Sequence, residues 1–95
     1  MDITTSIEDG IARVTLAGSL NTNTATDLEL ALEPLFADAS RIVFDFTDLE
    51  YISSAGLRVL MVAYKQLGDI EVSGASEEVR EVFDITGFSD LFSVR

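Results

Sequence analysis

Hydrophobic positions alternate along the first twenty residues. Ile3, Thr5 and Ile7 share one phase, and Ala12, Val14 and Leu16 alternate with Ile11, Arg13 and Thr15. Period-two alternation marks half-buried strands, and the Asp9-Gly10 pair between the two runs predicts a hairpin turn. Gly18 is the expected end of the second strand. The cap-forming cluster Asn21-Thr22-Asn23-Thr24 follows, with Thr24 and Asp27 in capping-box spacing. Ala25, Leu28, Leu32 and Leu35 then fall on one helical face, and Pro34 predicts a helix end between Leu32 and Phe36. Arg41 to Phe46 is β-branched and aromatic. Ile42, Phe44 and Phe46 share one face, and Val43 predicts that the other face is covered as well, as in a central strand. Thr47 to Glu50 read as a turn, and Tyr51-Ile52 as a short apolar pair.

The pattern then returns to helical spacing. Ser53 or Ser54 caps a helix reaching about Gln66, with Leu57, Leu60, Ala63, Tyr64 and Leu67 on its inner face. Ser54, Arg58, Val62 and Lys65 line the opposite side, with Met61 at its edge. Gly68-Asp69 breaks the helix before a short strand, Ile70-Glu71-Val72. Ser76 caps a last helix with Glu77 and Glu78 in its first turn and an inner stripe of Val79, Val82, Phe83 and Thr86. Gly87 fits a left-handed helix end with Phe88 folding back, and Leu91 to Val94 read as a final strand. The order ββαβαβα predicts a single α/β domain over residues 1–95, with a mixed four- to five-stranded sheet packed with three to four helices.

Charge and composition narrow the function. Seventeen acidic residues against six Lys plus Arg give a net charge of −11. Nucleic-acid binders need clustered cations, so no direct nucleic-acid partner is expected, and an anionic membrane would repel the chain. No apolar run is long enough to span a membrane, and no signal-peptide pattern opens the sequence. There is no His and no Cys, which removes the commonest general base, the commonest metal ligand and all thiol chemistry. The single lysine, Lys65, lies roughly 16 Å along its helix from Ser54, too far for a Ser-Lys dyad. The acidic pairs read as solvated faces. Asp45, Asp48 and Glu50 are the one triple dense enough to suggest Mg²⁺, without the loop pattern of a calcium site. No glycine-rich phosphate loop is present. No enzyme activity and no cofactor are therefore expected.

Ser53-Ser54-Ala55-Gly56-Leu57, at a strand-to-helix junction, has two readings. One is structural: a serine cap and close packing at Gly56. The other is a phosphorylation switch. A phosphate at a helix N-terminus suits the dipole and the free N–H groups, so it leaves the helix intact. It acts instead on a partner docked over Ser54, Arg58, Val62 and Lys65.

The run Asp45-Phe46-Thr47-Asp48-Leu49-Glu50-Tyr51-Ile52-Ser53-Ser54-Ala55-Gly56-Leu57-Arg58-Val59-Leu60 resembles the signature of STAS domains, specifically the bacterial anti-sigma factor antagonists. Gly18 to Asn21 with Thr24-Ala25 resembles that family's loop after the second strand, and Glu78 to Phe88 its C-terminal helix and turn. The resemblance implies a cytoplasmic binding module, a monomer or weak dimer, that sequesters an anti-sigma factor serine kinase and so frees a sigma factor. It also implies phosphorylation of Ser54 by that kinase, with Ser53 as the alternative acceptor, and reversal by a PP2C-type phosphatase. The implied partner surface comprises Asn21, Thr22, Ser53, Ser54, Ala55, Arg58, Met61, Val62 and Lys65. The chain departs from the family pattern at Ser53, usually Asp, at Ala55, usually a hydroxyl residue, and at Asn21, often acidic. The stretch from Lys65 to Val72 is also shorter, which predicts a trimmed helix or loop.

Other readings compete. A STAS domain that is never phosphorylated serves as a scaffold or an accessory subunit of a stress-signalling or transporter complex. An acyl carrier protein is also short, acidic and modified on a serine at a helix start, but it is helical throughout. A receiver domain would use Asp45, but it needs an acidic pair after its first strand and a late lysine, which are missing here.

Overall fold

The computed structural model describes residues 1–95. Strands β1 (Asp2–Glu8) and β2 (Ile11–Leu20) form the expected hairpin, turning through Asp9 and Gly10 at φ of 54° and 78°. Helix α1 (Thr22–Asp38) leads into β3 (Arg41–Ile52), α2 (Ser54–Leu67) into β4 (Ile70–Ser73), and α3 (Glu77–Thr86) into a 3₁₀ turn (Phe88–Asp90) and β5 (Ser93–Val94). The sheet order is β1-β2-β3-β4-β5, antiparallel at the hairpin and parallel thereafter. Three successive crossovers run in one direction across the sheet. Their common right-handedness puts all three helices on one face, giving a two-layer α/β domain.

The core lies between those layers. Ala12, Val14 and Leu16 of β2 and Ile42, Phe44 and Phe46 of β3 are fully buried against Leu28 and Leu32 of α1, Leu60 and Ala63 of α2 and Phe83 of α3. Phe44, Phe46, Phe83 and Phe92 stack in sequence, with ring centroids 5.7–6.3 Å apart. Val59, absent from the inner face expected for α2, is buried too.

The other sheet face carries no helical layer, which corrects the reading of Val43. That side chain is only 8% exposed, yet it stands outside the core cluster, in register between Arg13 and Glu71. Long polar neighbours shield it: Glu71 pairs with Arg41 and, at 3.1 Å, with Arg95.

Several boundaries also shift. β2 passes through Gly18 to Leu20. The capping box of α1 joins Asn21 and Thr24 instead of Thr24 and Asp27. Pro34 lies inside α1, because the hydrogen bond it forfeits, to the Leu30 carbonyl, lies on the side that faces water. Thr86 is exposed, its hydroxyl donating back to the Val82 carbonyl at 2.7 Å. Only Ser93 and Val94 of the expected last strand pair with the sheet. Gly68 and Gly87, at φ of 73° and 80°, end α2 and α3, and only Gly68-Asp69 separates α2 from β4.

The largest correction bears on the site. The turn expected at Thr47–Glu50 is strand. Thr15 pairs Asp45 but Ala17 pairs Asp48, and Gly18 pairs Leu49 but Ser19 pairs Tyr51. β3 therefore holds two extra residues as bulges. Each bulge stretches the buried spacing from two residues to three, so that Phe46, Leu49 and Ile52 all face the core while Tyr51 is 54% exposed.

Candidate functional site

Strands β2 and β3 end side by side, Leu20 opposite Ile52, and the Ser53 N–H donates to the Leu20 carbonyl at 2.8 Å. Each strand leads directly into a helix, so α1 and α2 both start at the carboxyl edge of the parallel strands, where open α/β sheets bind their ligands. Gly56 sets how closely α2 approaches. A Cβ there would lie 2.6 Å from Leu20 Cγ and 3.1 Å from Ile52 Cγ1, so a side chain would push the helix off the strand ends.

The two adjacent serines play different parts. Ser53 is the N-cap, extended at φ −96°, ψ 171°, and its Oγ accepts from the Gly56 N–H at 3.2 Å. Its carbonyl accepts from the Leu57 N–H at 2.9 Å. Ser54 is the first helical residue, is exposed, and its hydroxyl has no hydrogen-bond partner in the chain. The first N–H groups of α2 have no partner within the helix, and positive dipole potential gathers around Ser54.

Thr22 of α1 and Ala55 and Arg58 of α2 meet in one cleft with Thr26 and Glu29 over a floor of Ala25 and Val59. Asn21 is turned inward instead: its Oδ1 accepts from the Asn23 and Thr24 N–H groups at 2.9 and 3.0 Å. Arg58 is exposed one turn beyond Ser54. Met61 and Val62 are half-buried further along α2, and Lys65 is exposed near its end. Ser54, Arg58, Val62 and Lys65 thus follow one another at helical spacing along α2, and Thr22 at the start of α1 adjoins Ala55 and Arg58.

Asp45 stands at the start of the first bulge, on β3. Its Oδ1 accepts from the Thr47 hydroxyl at 2.7 Å and the Thr47 N–H at 3.0 Å. Those bonds, the side-chain one foremost, hold its carboxyl below the usual value, helped by Arg13 and opposed by partial desolvation. No three carboxylates converge on a common point where an ion could sit, so Asp45, Asp48 and Glu50 do not form the metal triple their spacing suggested. The sequence reading also passed over Tyr51 as a surface residue. The bulge that exposes it was legible only in the three-residue spacing of Phe46, Leu49 and Ile52.

The family of STAS domains matches residues 2–95, and the chain belongs to that family. BtrV of Bordetella bronchiseptica, named for an anti-sigma factor antagonist role, is 38% identical, covering 99% of this chain and 85% of that protein. An anti-sigma-B factor antagonist of Staphylococcus aureus is 28% identical, covering 99% and 92% of the two chains. The crystal structure of an anti-sigma factor antagonist from Mycobacterium paratuberculosis superposes with a TM-score of 0.87 at 27% identity, over 98% of this chain and 83% of that one. None of these names is that of an enzyme. No helix is long and apolar enough to cross a membrane.

Proposed function

We propose that this protein is a cytoplasmic anti-sigma factor antagonist switched by phosphorylation. In its unmodified form it sequesters an anti-sigma factor serine kinase through the strip from Thr22 to Lys65, which frees a sigma factor. The kinase phosphorylates Ser54, the complex weakens, and a PP2C-type phosphatase restores it. The observation that carries this reading is the contrast between the two serines: the Ser53 hydroxyl is occupied as a cap, and the Ser54 hydroxyl is exposed and unbonded.

The physics of the added group agrees. A phosphate brings about −1.5 to −2 charges. At Ser54 it meets free helix N–H groups and Arg58 one turn on, so α2 tolerates it. An already acidic surface gains further negative charge where the partner must dock, and the cost falls on the complex. Incubation with the anti-sigma kinase and ATP, followed by peptide mass spectrometry, tests this. Phosphate at Ser54 is expected, retained in Ser53→Ala and absent in Ser54→Ala. An unmodified Ser54 in a kinase that phosphorylates its other substrates overturns the switch and leaves the scaffold role.

A further inference from the structure

The most apolar concave feature of the surface takes no part in the strip around Ser54. It is a groove of ≈ 240 Å³ where the end of β3 meets α3, lined by Glu50, Tyr51, Ile52, Glu78, Val79 and Val82. Ile52 and Val79 form its buried floor, Val82 is half-buried, and Tyr51 stands 54% exposed as a wall. The second bulge of β3 creates this wall by turning Tyr51 outward. Other exposed apolar side chains, Ile85 at 78% and Leu30 at 62%, line no cavity and are ordinary surface residues.

The dimensions and the rim define what fits. Small-molecule pockets commonly run from about 300 to 1,000 Å³, and this groove is smaller, the size of one large side chain. Two exposed carboxylates, Glu50 and Glu78, border it, no Lys or Arg lines it, and Glu77 adds to the negative field in the first turn of α3. Such a site accepts an apolar side chain whose sequence neighbours are cationic. The groove also adjoins the Ser54 site, because Ile52 in its floor is followed directly by the Ser53 cap.

We infer that this groove is a second anchor for the anti-sigma factor, receiving a leucine or phenylalanine side chain from a segment that carries Lys or Arg on either side. The inference rests on the proposed function, since it assigns the groove to the same partner. It lies on the α3 side of the strand end, whereas the cleft of Thr22, Ala55 and Arg58 lies between α1 and α2. Ser54 is not among the residues that line the groove, so phosphate there leaves the groove itself in place.

Isothermal titration of the purified anti-sigma factor into this protein and its variants tests the assignment. Tyr51→Ala and Val82→Glu are each expected to weaken binding by about tenfold or more, the loss typical of a truncated anchor, while Tyr51→Phe binds as the parent does. Glu50→Lys, a surface change that leaves the core intact, weakens binding and flattens its salt dependence. Melting temperatures identify any variant that fails to fold. If the parent binds, Ser54→Asp weakens it and Glu50→Lys and Tyr51→Ala bind unchanged, the groove is no anchor and the Ser54 reading stands. If the parent itself does not bind, both fall.

Discussion

Helices α1 and α2 start at the same edge of the sheet, one strand apart, α1 from a cluster of hydroxyl and amide side chains and α2 from two serines, and the two caps differ in how firmly they are held. At α1 Asn21 and Thr24 are both engaged, while Thr22 and Asn23 between them are exposed with no side-chain bond, as Ser54 is. Asn21 Oδ1 accepts two backbone N–H groups, and Thr24 Oγ1 accepts from the Asn21 N–H at 2.8 Å while donating to the Ser19 carbonyl at 2.8 Å. At α2 one serine caps with a single bond and the next is left free. An engaged hydroxyl has its lone pairs and proton committed, so transferring a phosphoryl group to it would first break structure. A free one at the helix start can be modified at no structural cost. The difference separates a cap joined by several bonds from one held by a single bond, and it teaches that position within the cap, more than residue type, leaves a hydroxyl free for modification.

The comparison can be broken at several points. The largest expected effect is at Gly56. Gly56→Leu forces atoms into Leu20 and Ile52, and a loss of about 3 kcal/mol or more is expected in urea unfolding. An unchanged midpoint would show that α2 is not held against the strand ends.

Next is Ser54. Ser54→Asp is expected to weaken anti-sigma factor binding by about 2 kcal/mol, the loss seen when charge is misplaced in an interface, and Ser54→Ala is expected to bind as the parent does. Equal affinities by calorimetry would show that charge at the α2 start does not reach the partner.

A smaller effect tests the caps themselves. Asn21→Ala should cost about 1–2 kcal/mol and Ser53→Ala about 0.5–1 kcal/mol, because the first leaves more N–H groups unsatisfied. The reverse order in thermal unfolding would contradict the firmer cap of α1.

The smallest effect lies away from both starts, at Asp45. Its carboxyl titrates below the ordinary 3.8 in the folded protein, so its bonds to Thr47 stabilise the fold above that pH. That contribution is lost as pH falls from there through the lower folded value. Asp45→Asn should narrow the difference in stability between pH 6 and pH 3. An identical acid profile would show that the bulge does not depend on the ionised side chain.

Much of this was legible along the chain. Alternation gave the hairpin and the first half of β3, helical spacing gave three amphipathic helices, and the run from Asp45 to Leu60 carried the family resemblance. The misplaced features share a cause. Thr47 to Glu50 have turn composition, but pairing with β2 pulled them into strand, and the excess length went into bulges. Pro34 is a helix breaker by itself, and burial of Leu32 and Leu35 on the inner face carried α1 past it. Val43 looked doubly buried because a single chain does not show that cross-strand neighbours can shield an aliphatic group without a second layer.

By itself, the sequence determined the order of elements, the acidic charge, the absence of imidazole and thiol chemistry, and the junction at Ser53-Ser54, since these follow from residue type and local periodicity. Tertiary structure alone decided which of the two serines is free and that Thr22, Ala55 and Arg58 share a cleft. Those outcomes depend on the register of β3 against β2 and on the close approach at Gly56. Most of these contacts join residues thirty or more positions apart, beyond the reach of any local pattern.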